Sequence, residues 1–276
     1  MEIMEIIKEA MVFPSKDIVK LAVYIALSVV SVLLGAFGII YLAIGVASQS
    51  FWIIIGVIAF IAALILGFIT TGYIVSIIRS GIEHEESAPQ FMWKENLVTG
   101  IKFVVLNIVY FIIPGIVVLI LGWVTNLFGM ASIMFTRMMY ASMAAPANAT
   151  VTIADVVPQS MIISFGNSLI IVGIVAFILF VIFGFLEIMG QCRLAKTDSL
   201  GYAVNIPEAF RDIGRIGFGK VIGLTVLIFV IILVINCIIS GLNAYIAGFS
   251  ILSIIVTPYL SFFAARASGL LYSDIA

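Results

Sequence analysis

Long runs without a charged residue are the feature that most limits how this chain can fold. No Asp, Glu, Lys or Arg lies between Lys20 and Arg79, and the same is true of residues 103–136, 156–186 and 221–265. A helix needs about 20 apolar residues to cross a bilayer. The first and last runs are each long enough for two such helices, and the two middle runs for one each. The sequence therefore predicts six transmembrane helices.

Composition indicates that lipid rather than water surrounds most of these helices. Hydrophobic residues make up 64% of the chain and charged residues 10%, whereas about 25% of the residues in soluble domains are charged. Backbone groups in lipid must bond within their own segment, and the runs lack the alternation of barrel strands. The expected fold class is therefore all-α, a polytopic membrane helical bundle. We expect one integral membrane domain, residues 1–276, with spans at residues 21–46, 51–78, 102–124, 167–191, 221–244 and 249–267.

The basic residues set the expected orientation of the spans. If the N-terminus lies in the cytoplasm, twelve of the thirteen Lys and Arg residues lie on the cytoplasmic side, and only Arg137 lies outside. Cytoplasmic loops of membrane proteins carry such an excess of basic residues. We therefore expect both termini in the cytoplasm and one long extracytoplasmic loop, residues 125–166.

Two of the cytoplasmic loops carry similar signals for the start of a helix. Ser87-Ala88-Pro89-Gln90 matches a capping box with proline in the first turn, and Asn205-Ile206-Pro207-Glu208 repeats that pattern. The same number of residues separates each proline from the lysine before the next span. These signals predict short cytoplasmic helices at 88–99 and 206–216 and, with the flanking spans, a parallel internal duplication.

Amphipathic patterns suggest that the short helices lie at the membrane surface. In residues 1–13, helical spacing places apolar side chains on one face and charged side chains on the other, and the pattern ends before Pro14. It predicts an interfacial helix. Two interpretations stay open: a cytoplasmic platform that senses lipid or docks a partner, and a simple elbow that joins two spans. In the second loop the apolar arc consists of Ile206, Ala209, Phe210, Ile213 and Ile216.

Scattered motifs along nearly the whole chain carry a family resemblance: Phe13, Pro14, Asp17, Gly72, Tyr73, Arg79, Pro89, Trp93, Gly100, Lys102, Tyr110, Pro114, Arg266 and Tyr272. In these residues the chain resembles the archaeal multi-pass membrane proteins grouped as domain of unknown function 4013. The resemblance implies a plasma membrane location in an archaeon of the methanogen type, and it implies no activity. Residues 110–118, YFIIPGIVV, are also similar to the membrane domain of some glycerophosphodiester phosphodiesterases.

Glu187 is the main candidate for an intramembrane polar site. An ionisable residue inside a span is costly and by default suggests a function. One hypothesis is a proton or cation site in the bundle, with Asn107, Asn236 or Asn243 as polar partners. The alternative is that Glu187 lies near the cytoplasmic interface and pairs there with Arg193.

The signals for catalysis, cofactors and other ligands are weak. His84 is the only histidine, and its acidic neighbours on a short loop give poor geometry for a metal. No nucleotide-binding glycine loop or nucleophile motif occurs, so we expect no enzyme, no cofactor and no metal. The net charge of −1 argues against nucleic acid as a partner. Asn148 begins the sequon Asn-Ala-Thr in the predicted outer loop and is a candidate glycosylation site.

Three functions from different classes remain open. The first is a non-enzymatic membrane organising or accessory protein, whose partners are membrane lipids and another membrane protein or a second copy of the chain. The second is a small transporter or channel with a polar site near Glu187, and the third is an intramembrane enzyme. Convergence of Glu187, Asn236 and Asn243 on one cavity would favour the second over the first.

Overall fold

The computed structural model describes residues 1–146, 150–246 and 248–276, and the regular structure of these residues is helical throughout. A single 3-10 turn, Phe249–Leu252, precedes the last helix. The α-helices are α1 Ile3–Lys16, α2 Ile18–Ser48, α3 Trp52–Ile82, α4 Trp93–Val124, α5 Leu127–Ala144, α6 Ile153–Val156, α7 Gln159–Thr197, α8 Leu200–Ala203, α9 Ile206–Ile216, α10 Phe218–Tyr245 and α11 Ser253–Tyr272.

Six of these helices are long and apolar enough to cross a membrane: α2, α3, α4, α7, α10 and α11. Each of them overlaps one of the six predicted spans. Helices α4 and α7 begin nine and eight residues before their predicted spans, and the last helix begins at Ser253 rather than at residue 249. The first hairpin turns where the sequence predicts it, since Gln49 adopts a left-handed conformation and its N–H bonds to the Gly45 carbonyl. The predicted fold class is confirmed, and the chain is a multi-pass membrane protein.

The N-terminal helix differs from the predicted interfacial helix at residues 1–13. It runs on through Pro14 to Lys16, and Ile6, Ala10 and Phe13 are fully buried. These residues pack within the protein, mainly where α1 contacts α11, so this apolar face is not free to enter lipid. A proline inside a helix costs stability, and the burial of Phe13 and Pro14 offsets that cost.

The helix predicted at 88–99 is not a separate helix, and only its residues 93–99 are helical. Residues 83–92 are irregular, and α4 begins at Trp93 and continues without a break through Gly100. The reason is tertiary: Lys20 and Tyr73 donate hydrogen bonds to the carbonyls of Ala88 and Pro89. These bonds hold the backbone in an extended path instead of a helical turn.

The helix predicted at 206–216 is confirmed with the same boundaries. The Asn205 side chain caps it by accepting a hydrogen bond from the Glu208 N–H at 3.2 Å. Gly217 ends it with φ +106°, a left-handed conformation that favours glycine. Counted from the prolines, Thr99 corresponds to Gly217. Both Thr99 and Gly100 lie inside a continuous helix, so the two loops of the predicted duplication have different structures.

The predicted extracytoplasmic loop, residues 125–166, is largely helical. It contains α5, and α7 begins well before the predicted span at residue 167. Asn126, with φ 53°, reverses the chain between α4 and α5. The bounds of the loop were predicted from the number of residues that a helix needs to cross the bilayer. A helix such as α7 can extend beyond the bilayer, so part of the predicted loop is helical. Asn148 lies outside the described residues.

The contacts divide the chain into two compact units, and the expected single membrane domain stays a prediction. Unit 1 comprises residues 1–108 and 185–276, and unit 2 comprises residues 109–184. Within unit 2, the rings of Phe111 and Phe180 stack with centroids 5.8 Å apart. The Ser168 hydroxyl donates to the Thr125 carbonyl at 3.2 Å.

Small residues allow the helices of unit 1 to approach closely. A Cβ at Gly56 of α3 would lie 2.5 Å from the Leu42 nitrogen of α2, and one at Gly269 of α11 would lie 2.2 Å from the Ile78 carbonyl oxygen of α3. Such contacts are typical of packing between membrane helices. Helix α11 is the least apolar of the six long helices and the most buried, with more than half of its most apolar stretch covered by protein.

Candidate functional site

The two chain ends meet at one end of the unit 1 helices, which is called the terminal face below. The Met1 ammonium lies 3.2 Å from the Asp274 carboxylate, which also pairs with Lys220. Burial alone raises the pKa of Asp274, but the hydrogen bonds from Lys220 and the N-terminal ammonium outweigh it and hold that pKa below its usual value. The terminal face is therefore partly held by charge.

Arg266 is one of two almost fully buried charged residues at this face. Its side chain is 1% exposed, and it donates to the Ser80 carbonyl and to the Glu9 carboxylate, each at 2.6 Å. The guanidinium also lies over the ring of Phe13, with 4.4 Å from Cζ to the ring centroid. One residue thus joins α1, α3 and α11.

Asp212 is the centre of a second buried cluster. Its carboxylate accepts hydrogen bonds from Arg193 at 2.8 Å and from the Tyr272 hydroxyl at 3.0 Å, and Arg215 lies 3.2 Å away. Asp212 is 1% exposed. The sequence pattern places it on the polar arc of the helix, whereas it holds α9 against α7 and α11.

A polar cleft of about 440 Å³ opens at the terminal face beside the irregular segment 83–92. The buried Asn96 side chain lines it, and within the described part of the chain its Nδ2 has no hydrogen-bond partner. Both signs of charge are present in the lining, and the four acidic residues outnumber the two basic ones. Its charged lining consists of Arg79, Lys94, Glu83, Glu85, Glu95 and Asp198.

A second cavity, of about 360 Å³, lies among the long helices of unit 1. Gln191 of α7 lines it and donates a hydrogen bond to Glu187, one helical turn away. Glu187 is 7% exposed and does not itself line the cavity. The predicted partner Arg193 bonds to Asp212 instead. The other polar groups of the lining are Tyr24, Thr71, Thr225, Ser261 and Ser268.

The asparagines proposed as partners of Glu187 do not join it. Asn236 lies on the exposed side of α10 and donates to the Ile232 carbonyl of its own helix, and Asn107 does the same to Phe103 in α4. At 1.5 Å per residue, Asn236 lies about 27 Å along α10 from its start, whereas Glu187 lies about 15 Å from the nearby end of α7. Asn243, also exposed, lies about 38 Å along α10.

Neither His84 nor its acidic neighbours form a metal site. His84 occupies a left-handed turn with φ 55° and is exposed. Across the residues that the structure describes, no group of three or more His, Cys, Asp or Glu side chains is placed to hold a metal ion.

Three buried polar residues were missed as structural centres: Arg266, Asp212 and Asn96. Arg266 has apolar neighbours on both sides in the sequence Phe-Phe-Ala-Ala-Arg-Ala, a pattern typical of a buried charge. Asp212 directly precedes Ile213 of the apolar arc, and Asn96 lies in a stretch assigned to a separate helix. Of these three residues, only Arg266 could have been recognised as buried from the sequence alone.

Comparison with known proteins places the chain in a family. A family model described as a protein of unknown function (DUF4013) matches residues 55–244, which is more than half of the chain. No curated protein and no solved structure matches it. The similarity of residues 110–118 to the phosphodiesterase membrane domain stays a prediction. The chain therefore belongs to the DUF4013 family.

Proposed function

We propose that the chain is a non-enzymatic membrane protein that holds another membrane component against its terminal face. The observation that carries this proposal is that ion pairs join distant segments at this face, including Glu9 with Arg266 and Arg193 with Asp212. A surface whose side chains are already fixed loses less conformational entropy when it binds a partner. The buried polar groups bond between helices, which suits a structural role better than a catalytic one.

The proposed partners are lipids around the spans and, at the terminal face, a membrane protein or a second copy of the chain. Large apolar side chains such as Ile39, Phe177 and Phe229 are more than half exposed along the long helices, and lipid is the natural cover for them. No cofactor or nucleic acid has a part in this proposal.

Photo-crosslinking tests whether the terminal face holds a protein. Replacement of Glu86 or Arg211, both exposed there, by benzoylphenylalanine in the source cells is expected to give a discrete protein adduct, which electrophoresis and mass spectrometry would identify. Trp123, 78% exposed on α4, is the matched control and is expected to label lipid alone. If neither terminal position gives a protein adduct, or Trp123 gives the same adduct, the proposal is wrong.

We further propose that the terminal face lies in the cytoplasm, at the plasma membrane. The support for this orientation is the distribution of basic residues, of which Arg137 alone is assigned to the outer side.

Cysteine labelling tests this orientation. In a Cys237→Ala background, Ser87→Cys and Ser199→Cys are expected to react with a membrane-impermeant maleimide only in inside-out vesicles. Thr150→Cys is expected to react in intact cells. Cys192 is buried and stays in place as an unreactive residue. Labelling of Ser87→Cys in intact cells would show that the terminal face lies outside and would contradict the proposed orientation.

A small transporter or channel is the second candidate function, and the cavity beside Gln191 is the observation that favours it. Such proteins usually place polar groups near the middle of the membrane, but Asn236 and Asn243 do not extend the polar lining along α10. Uptake of radioactive sodium into proteoliposomes, above that of empty liposomes, would favour this second function over the first.

A further inference from the structure

We propose that the cavity lined by Gln191 binds a small monovalent cation, either an alkali-metal ion or a protonated primary amine. The site lies among α2, α3, α4, α7, α10 and α11. This inference goes beyond the proposed function, because binding here requires neither a partner at the terminal face nor transport.

Three of the five hydroxyl groups in the lining present oxygen lone pairs rather than protons. Thr71 donates its hydroxyl proton to the Gly67 carbonyl at 2.8 Å, Ser261 to Thr257 at 2.9 Å, and Ser268 to Ala264 at 2.9 Å. A hydroxyl has one proton and two acceptor sites. Because each proton is used within its own helix, these three oxygens act toward a ligand as acceptors.

Gln191 adds a fourth acceptor and connects the cavity to a carboxylate. Its amide nitrogen donates to Glu187, which leaves the amide oxygen as the group that can face a ligand. When it is ionised, the Glu187 carboxylate makes the electrostatic potential in the cavity more negative. A cation bound to the Gln191 oxygen would therefore lie one side chain away from an anionic group.

Glu187 differs from the other buried charged residues in having no counter-ion within the described chain. Asp212 pairs with Arg193, and Arg266 pairs with Glu9. A buried charge is costly unless it is paired. A cation in the adjacent cavity would supply the missing charge, and this is the observation that points to a ligand.

The lining also limits which cation can bind. A hard divalent ion takes several carboxylate ligands, and the described residues provide no cluster of them. An anion would meet acceptor oxygens. Tyr24 and Phe103 are among the lining residues, and aromatic rings can attract alkali and ammonium ions.

Thermal unfolding of the purified protein tests the proposal. Sodium chloride and ethylammonium chloride are added separately, with N-methylglucamine chloride keeping the ionic strength constant. We expect the midpoint of unfolding to rise and saturate with one of the two cations, because a ligand that binds the folded state stabilises it. Response to sodium alone identifies an alkali-ion site, and response to ethylammonium identifies an amine site.

Variants separate binding from a general salt effect. Glu187→Gln is expected to raise the half-saturating concentration about 10- to 100-fold, the usual effect of losing a charged hydrogen-bonding group. Thr71→Val, which keeps the shape of the side chain, is expected to weaken binding in the same direction. Asn236→Leu, on the exposed side of α10, is the control and should respond like the wild type.

Two results would overturn the proposal. One is that neither cation raises the midpoint of the wild-type protein above that in N-methylglucamine chloride, as expected if Glu187 is simply a protonated carboxyl. The other is that the variants respond as strongly as the wild type. If Glu187→Gln does not fold, the response of Thr71→Val decides the question.

Discussion

Gly72→Ala and Gly100→Ala are each expected to destabilise the protein by about 3 kcal/mol or more, because they push α3 and α4 apart. A Cβ at Gly72 would lie 1.8 Å from the Asn96 carbonyl oxygen, and one at Gly100 would lie 1.9 Å from that of Phe68. The opposing atoms belong to helix backbone, so no side chain can rotate to relieve the contact. Equilibrium unfolding in mixed detergent micelles measures the effect.

The same substitution elsewhere in α4 provides the control. A methyl group added at Gly115 would meet no atom within 4 Å. Gly115→Ala should therefore leave the free energy of unfolding unchanged or raise it, since alanine favours a helix by about 1 kcal/mol over glycine. Equal effects at Gly100 and Gly115 would show that α3 and α4 do not pack as described.

Asp212→Ala is expected to cost about 3–5 kcal/mol in the free energy of unfolding, the typical result of removing one partner of a buried ion pair. The Arg193 guanidinium would remain 12% exposed without its carboxylate, and the Tyr272 hydroxyl would lose its acceptor. The same unfolding measurement applies, and hydrogen exchange of α9 would report its release from the terminal face.

A neighbouring charge on the same helix gives the matched control. The Arg211 side chain is 67% exposed in its contact with Glu208, so Arg211→Ala should change stability by no more than about 1 kcal/mol. The double variant Asp212→Leu with Arg193→Met should recover much of the loss, because a hydrophobic pair can replace a buried ion pair. A loss in Asp212→Ala no larger than in Arg211→Ala would contradict the buried cluster.

The spans could be predicted from sequence because the bilayer imposes one requirement on all of them. Any segment that crosses lipid must be apolar, about 20 residues long and internally hydrogen-bonded. The short helix 206–216 was equally clear, since Asn205 and Gly217 mark its two ends by local backbone chemistry.

The loops were harder to predict because distant residues determine their structure. Pro89 lies in a pattern typical of a helix start, yet Tyr73 and Lys20 hold the backbone around it in an irregular path. The first turns of α7, which begins at Gln159, were missed because the limit on membrane thickness ends a span but does not end a helix.

The candidate site could be predicted only in part. Glu187 stands out in sequence as an ionisable residue in a span, and it proves to be buried beside Gln191. Its asparagine partners were predicted from residue type alone. Asn236 is not a partner because it lies farther along its helix than Glu187 does. The hydroxyl lining of the cavity could not be predicted, because Ser and Thr are common in membrane helices and only packing brings them together.

The position of α11 has a consequence for how this protein is made. Helix α11 follows the other five spans in the chain, is the least apolar of the six, and is the one most buried within the protein. Its main contacts include α1, which precedes all six spans in the sequence. Biogenesis must therefore keep a place open among the earlier spans until α11 has been synthesised. A nascent chain released before residue 253 would expose Phe13 and leave Glu9 without the arginine that binds it.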